Sequence, residues 1–211
     1  MNNNIVKHII FDVDGTIVNN DLLCLKALQY TVKKLLNRYI ELEDLSFAIG
    51  MPSKMIWEHL GFLDYEMAND TWEEYYALHN DEICLFNGIV KQLYLLKDNF
   101  KLGIITSRNK NELLGDPIMK DILGLFDSFI TYDDTIKHKP DPQPLLKYLE
   151  NNSLTAKEVI YIGDTQYDSL CASGANVKFI QAMYNGNLVN YSDSSYVDDV
   201  NDIWLNIQKI M

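Results

Sequence analysis

The sequence predicts an α/β protein: a parallel sheet covered by helices, with an all-helical insertion after the first strand. Three observations carry this. Short apolar runs bounded by turn residues recur along the chain; helical patterns alternate with the later runs; and residues from about 19 to 84 show helical periodicity without a convincing strand between.

The strand-like runs are Ile9-Ile10-Phe11, Leu102-Gly103-Ile104-Ile105, Ser128-Phe129-Ile130-Thr131, Val159-Ile160-Tyr161-Ile162 and Val177-Lys178-Phe179-Ile180. Each is short, apolar and flanked by turn formers, as a strand buried on both faces requires. Helical patterns fall near 88–97, 110–123, 142–151 and 166–174. In the insertion, one helix is expected from Asp21 to Arg38, with Leu25, Leu28, Val32, Leu35 and Leu36 near one face. A short second helix is expected to start with Ser53 as N-cap and stop at Gly61, and a third to span Asp64 to Glu82. The expected organisation is therefore a catalytic core of 1–18 and 85–211, with a helical cap at 19–84.

Composition bounds the partners. A chain of 211 residues, 47% hydrophobic and 23% charged, has the usage of a folded soluble protein. Eighteen Lys and Arg against 30 Asp and Glu give a formal net charge of -12, which disfavours nucleic acid and anionic membranes. A small anionic ligand remains open, because a cation and a few basic groups reverse the field inside one cleft. Cys24, Cys84 and Cys171 are far apart and form no Cys-x-x-Cys pair, so they read as buried small hydrophobes rather than a disulfide framework or zinc site. The opening residues lack the apolar region of a secretory signal and no apolar run approaches the ~20 residues of a membrane span, so cytoplasm is expected. The oligomeric expectation is a monomer or homodimer.

In an open parallel sheet, ligands bind beyond the carboxyl ends of the strands. Three expected strands deliver polar groups there: the first ends on Asp12 and Asp14, the second on Thr106 and Ser107, and the fourth on Gly163-Asp164-Thr165 with Asp168 following. Gathering Asp12, Asp14, Asp164 and Asp168 is unfavourable unless a cation neutralises them, and all-oxygen ligation suits Mg²⁺. His8, His59, His79 and His138 are not paired at zinc-ligand spacing. Asp12 is then a candidate nucleophile toward phosphorus, and Asp14, two residues on, a candidate general acid and base. Thr106 is placed to bond a phosphoryl oxygen, and Lys139 supplies positive charge for a transferring phosphoryl group.

Asp12-Val13-Asp14-Gly15-Thr16, Thr106, Lys139-Pro140-Asp141-Pro142 and Gly163-Asp164-Thr165-Gln166-Tyr167-Asp168 occur in that order. In these four motifs the chain resembles the haloacid dehalogenase-like hydrolases, over nearly its whole length, and by pattern the phosphoglycolate phosphatase-like branch. The resemblance implies a doubly wound Rossmann-like core, with Mg²⁺ held by the side chains of Asp12 and Asp164 and the backbone carbonyl of Asp14. It also implies that Gly50-Met51-Pro52-Ser53-Lys54 faces the substrate, making Lys54, together with Arg108, a candidate substrate contact. The second aspartate, Asp14, favours phosphate-ester chemistry over cleavage of a carbon–halogen bond.

Each motif also has an ordinary structural explanation. Asp12-x-Asp14-Gly15 resembles a calcium loop, but an EF-hand places its glycine at the sixth position, occupied here by Ile17. Thr106 and Ser107 alone read as a strand end, Lys139 as a loop lysine, and Asp168 as a first-turn residue favoured by the helix dipole. Their order along one chain promotes them together. The expected function is Mg²⁺-dependent hydrolysis of a small phosphorylated metabolite. The rivals are a β-phosphoglucomutase-like mutase, an inorganic pyrophosphatase, and a binding or regulatory module without turnover.

Overall fold

The computed structural model describes residues 5–186 and 195–211, so the remainder of the 1–18 and 85–211 assignment lies outside the described residues. The chain forms two compact units, Met1–Val18 with Leu85–Met211, and Asn19–Cys84.

The first unit is built on β1 (His8–Phe11), whose neighbours both come from much later in the chain. The short β2 (Val18–Asn19) pairs with β3 (Cys84–Leu85) in a separate two-stranded ribbon where the chain leaves and re-enters this unit. Further strands are β4 (Lys101–Ile105), β5 (Ser128–Ile130), β6 (Val159–Gly163), β7 (Lys178–Ala182) and β8 (Tyr196–Val197). The main sheet runs β5-β4-β1-β6-β7-β8, and the pairings from β5 through to β8 are all parallel. Because β1 is central and the chain winds away from it in both directions, the fold is Rossmann-like and doubly wound. The five expected strands are present; β8, only two residues long, had no periodicity to reveal it.

In the second unit, α1 (Asp21–Leu36) buries Leu23, Ala27, Leu28, Thr31 and Val32. It stops two residues before Arg38, because Asn37 takes a left-handed conformation, φ 49°. A 3₁₀ turn at Glu43–Ala48 follows, then α2 (Ser53–Leu60) and α3 (Tyr65–Leu78). Ser53 is not the N-cap: Pro52 holds that position and Ser53 is already helical, since a fixed proline φ pre-sets the entry. Gly61 ends α2 with φ 85°, and Asp64 caps α3 by accepting from Met67 N at 3.0 Å. Trp57, 2% exposed, centres this unit's core with Leu28, Val32, Leu45, Leu60 and Phe62. Its indole donates to Asn69 Oδ1 at 2.5 Å, giving the buried N–H its partner.

The remaining helices of the first unit are α4 (Ile89–Lys97), α5 (Lys110–Gly115), α6 (Pro117–Lys120), α7 (Gln143–Asn151), α8 (Gln166–Gly174) and α9 (Ile203–Ile210). The single helix expected over 110–123 is broken at Asp116-Pro117, because proline has no N–H to continue the ladder. One face of the sheet packs on α7 and α8 through Ile10, Ile105, Leu145, Tyr148, Tyr161 and Cys171. Buried Gln92 of α4 donates to Asn201 O at 2.8 Å and accepts from Trp204 N at 3.1 Å, tying α4 to the start of α9. Of the cysteines read as buried, only Cys171 is; Cys24, on α1, is half-buried, and Cys84, in the two-residue β3, is exposed.

Candidate active site

The register of the sheet sets the site. Asp12 follows the last residue of β1 and extends its pairing, its N–H donating to Ile162 O at 2.8 Å. Thr106 likewise continues β4, donating to Ile130 O at 3.1 Å, while β6 delivers Gly163 and Asp164 beside Asp12. The neighbouring strand ends thus present their first non-strand side chains at one edge.

Asp12, Asp164 and Asp168 are all buried, with one oxygen from each lying within 4.8 Å of the others. Lys139, 5% exposed, bridges two of them: Nζ lies 2.8 Å from Asp12 Oδ1 and 2.7 Å from Asp168 Oδ1. Its loop is braced by Gln143 Oε1, which accepts from Ile136 N at 3.0 Å and Lys137 N at 2.6 Å, and by stacking of Tyr132 on His138. Asp168 is saturated. Its Oδ1 also accepts from Tyr161 Oη at 2.6 Å, and its Oδ2 from Thr165 N at 3.0 Å and Thr165 Oγ1 at 2.6 Å. The Thr165–Asp168 capping box therefore starts α8 and aims the carboxylate at Lys139 in one arrangement.

Asp164 accepts from Thr16 Oγ1 at 3.1 Å and from Asn185 Nδ2 at 2.8 Å. Gly15, φ +72°, makes this approach possible, because a Cβ there would lie 2.3 Å from Asp164 Oδ2. Gly163 does the same beside Asp168, where a Cβ would lie 2.6 Å from Cγ. The two glycines let the carboxylates pack against main chain.

The electrostatics follow from burial. Burial pushes Asp12 up to about 7; the Lys139 ammonium opposes this, and Asp168 and Asp14 add to it. For Asp168 burial acts in the same direction, but Lys139 and the hydrogen bonds from Thr165 and Tyr161 outweigh it and hold the carboxyl below its ordinary value. Lys139 is raised, the two carboxylates overcoming its desolvation. Three buried carboxylates facing one ammonium leave negative charge in excess, which is what a divalent, oxygen-seeking cation would neutralise. This donor set fits Mg²⁺.

Asp14 is placed differently. Its carboxylate is about one-third exposed and turns to Arg108, accepting from Nε at 3.1 and 2.9 Å and from Nη2 at 2.6 Å. Arg108 Nη1 donates to Asp116 Oδ2. Burial opposes the guanidinium's charge, yet Asp14 and Asp116 together raise it well above its ordinary value. Thr106 is buried and its Oγ1 accepts from Arg108 N at 3.1 Å, whereas Ser107 is half-buried. Lys54 lies exposed in the first turn of α2, in the second unit.

Tyr161, Asn185 and Asp116 also contribute to the site, and none of them belongs to a sequence motif. Tyr161 carried a signal, because a hydroxyl inside a buried strand must find a polar partner. Asn185 and Asp116 carried none, since their partners lie far along the chain or depend on where a helix breaks.

A doubly wound core with paired aspartates after its first strand, a buried lysine and an aspartate-bearing fourth strand end defines a class, and residues 9–182 match the family model described as haloacid dehalogenase-like hydrolase. The chain belongs to that family and is a phosphatase-type hydrolase within it. It is 32% identical over 181 residues to a Clostridium perfringens protein named "Putative pyrophosphatase PpaX", covering 85% of each chain. It is 25% identical over 183 residues to the pyrophosphatase PpaX of Bacillus pumilus, covering 84% of this chain and 83% of that one. Among solved structures it is similar to a "putative phosphoglycolate phosphatase" from Lactobacillus plantarum, with TM-score 0.84, 25% identity and coverage of 98% and 99%.

Proposed function

We propose that this chain is a Mg²⁺-dependent hydrolase of a small phosphorylated metabolite, working through an aspartyl-phosphate on Asp12. The observation that carries the reading is the buried Lys139 ammonium held between Asp12 and Asp168 beside Asp164. Asp12 and Asp164 would hold the cation by side chain and Asp14 by its backbone carbonyl, while Asp168, grouped with them from sequence but with both oxygens taken by Lys139, Tyr161 and Thr165, would add negative charge rather than a direct ligand. The bound ion supplies charge neutralisation for the phosphoryl group and the attacking carboxylate.

In the first step an Asp12 oxygen attacks phosphorus and the bond from phosphorus to the ester oxygen breaks. The leaving oxygen takes the electron pair and a proton from Asp14. In the second, water gives a proton to Asp14 and its oxygen attacks phosphorus; the bond from phosphorus to the Asp12 oxygen breaks, that oxygen keeps the electron pair, and inorganic phosphate leaves the restored Asp12 carboxylate. Lys139 offsets charge on the transferring group, and Thr106 and Ser107 bind its oxygens.

Inorganic pyrophosphate is a second reading of the substrate, favoured by the likeness to the PpaX proteins, which are named as pyrophosphatases. The test is phosphate release, with Mg²⁺ and with chelator, from an aryl phosphate, phosphoglycolate, a hexose 1-phosphate and pyrophosphate, alongside Asp12→Asn. Turnover that requires Mg²⁺ and disappears in Asp12→Asn supports the reading. Equal rates in the two proteins remove Asp12 as nucleophile, formation of a hexose 6-phosphate supports a mutase, and inertness across the panel supports a non-catalytic module.

A further inference from the structure

The general acid and base of the proposed reaction, Asp14, is the most exposed of the acidic side chains at the site, and an exposed aspartate samples several rotamers. Here it is not left to do so. Arg108 grips both of its oxygens with Nε and reinforces Oδ1 with Nη2. A planar guanidinium in such a fork fixes direction as well as distance.

Arg108 is in turn fixed from three sides. Its Nη1 bonds Asp116 Oδ2, its backbone N–H bonds Thr106 Oγ1 at 3.1 Å, and its carbonyl accepts from Tyr132 N at 2.9 Å. Asp116 is itself immobilised, because its other oxygen, Oδ1, caps α6 by accepting from Ile118 N at 2.7 Å and Met119 N at 3.2 Å. The side chains of Arg108 and Asp116 are 12% and 13% exposed, so both ends of this pair are largely shielded from water. A relay runs from the start of α6 through Asp116 and Arg108 to Asp14.

We propose that Arg108 is a positioning residue which, braced by Asp116, holds the Asp14 carboxylate in the orientation that proton transfer requires, and that it does not bind substrate. This rests on the phosphatase reading and adds to it the device that orients its acid and base. Each guanidinium nitrogen already serves a carboxylate and the side chain is only 12% exposed, so its charge is directed at Asp14 and Asp116 rather than at a substrate anion. Misplacement of a catalytic group by about 1 Å costs up to roughly 100-fold in rate.

The experiment measures kcat and KM with Mg²⁺ for wild type, Arg108→Met, Asp116→Asn, Asp14→Asn and the Asp14→Asn/Arg108→Met double variant. Substrates are phosphoglycolate and 4-nitrophenyl phosphate, whose leaving group departs without a proton and keeps the Asp14→Asn proteins measurable. Arg108→Met is expected to lower kcat about 10–100-fold with KM nearly unchanged, and Asp116→Asn to lower it less. In the Asp14→Asn background, Arg108→Met should cost almost nothing more, because residues acting through one group are non-additive. A rise in KM with kcat kept would make Arg108 a substrate ligand, and a full additive loss in the double variant would make its role structural; either overturns the proposal. Asp116→Asn, whose cap oxygen is retained, guards against a folding defect in Arg108→Met. A wild type inert toward both substrates would instead remove the phosphatase reading itself.

Discussion

Replacing Lys139 with methionine isolates the charge at the centre of the site, because the flexible apolar chain fills the lysine stem's place while the ammonium is lost. The ammonium lies 2.8 Å from Asp12 Oδ1 and 2.7 Å from Asp168 Oδ1, with the lysine only 5% exposed. Removing one partner of a buried ion pair costs about 3–5 kcal/mol, since the remaining charge is left desolvated. Two features pull this toward the lower end. Asp168 keeps its hydrogen bonds from Tyr161 and Thr165, and Asp12, already pushed up to about 7, sheds its charge by taking a proton. At about 2–4 °C per kcal/mol for a chain of this size, a loss near 3 kcal/mol should lower the melting temperature of Lys139→Met by roughly 6–12 °C in chelator. Added Mg²⁺ should narrow the gap by neutralising the same carboxylates. The assay is thermal unfolding followed by circular dichroism, with urea unfolding to give free energies. A loss below about 1 kcal/mol in chelator would refute the view that Lys139 is the principal counter-charge of the buried acids.

Gly15→Ala meets two obstacles, a positive φ that costs an L-residue about 1–2 kcal/mol and a Cβ placed 2.3 Å from Asp164 Oδ2. Calorimetric titration should show Mg²⁺ affinity reduced beyond what any change in melting temperature explains. Gly103→Ala would drive a methyl group to 2.1 Å from the Tyr148 hydroxyl, so overpacking of about 1–3 kcal/mol is expected by chemical unfolding, with Mg²⁺ affinity kept. His8 accepts or donates at 2.9 Å to that hydroxyl and is held below its ordinary value of 6.5 by burial first and Lys101 next. The unfolded chain then binds the proton more readily than the folded one. Stability from neutral His8 is complete above 6.5 and is lost as pH falls from there toward the folded midpoint. Urea titrations on either side of that value should show a larger acid loss in wild type than in His8→Gln, and equal losses would count against the assignment.

Much of the fold was legible because buried parallel strands write themselves as continuous apolar runs, and all five expected runs became strands of the sheet. What failed was local. Pro117 turned one expected helix into α5 and α6, and Pro52 displaced Ser53 from the cap. The short β8 and the helix α9 were passed over, one for lack of length and the other because Ile203, Trp204, Leu205, Ile207 and Ile210 follow no strand-and-turn signal that marks their start. At the site, Asp12, Thr106 and Asp164 follow the ends of β1, β4 and β6, positions that apolar runs mark in the sequence, whereas Lys139 reaches Asp12 from the loop between β5 and α7, which no strand end marks. The partnership of Arg108 with Asp14 and Asp116 was not legible. It depends on the height at which one loop crosses another, which spacing along the chain does not encode.

The central position of β1 also governs how the chain can be made. Its backbone groups are matched by β4 on one side and β6 on the other, so no partner exists until synthesis has passed Lys101 and, for the second edge, Val159. At roughly 5–20 residues per second, β1 waits several seconds to tens of seconds with both edges open. During that interval the apolar Ile9, Ile10 and Phe11 form a template for stray strand pairing, and nascent chains halted before Lys101 should aggregate where those reaching past Gly163 do not.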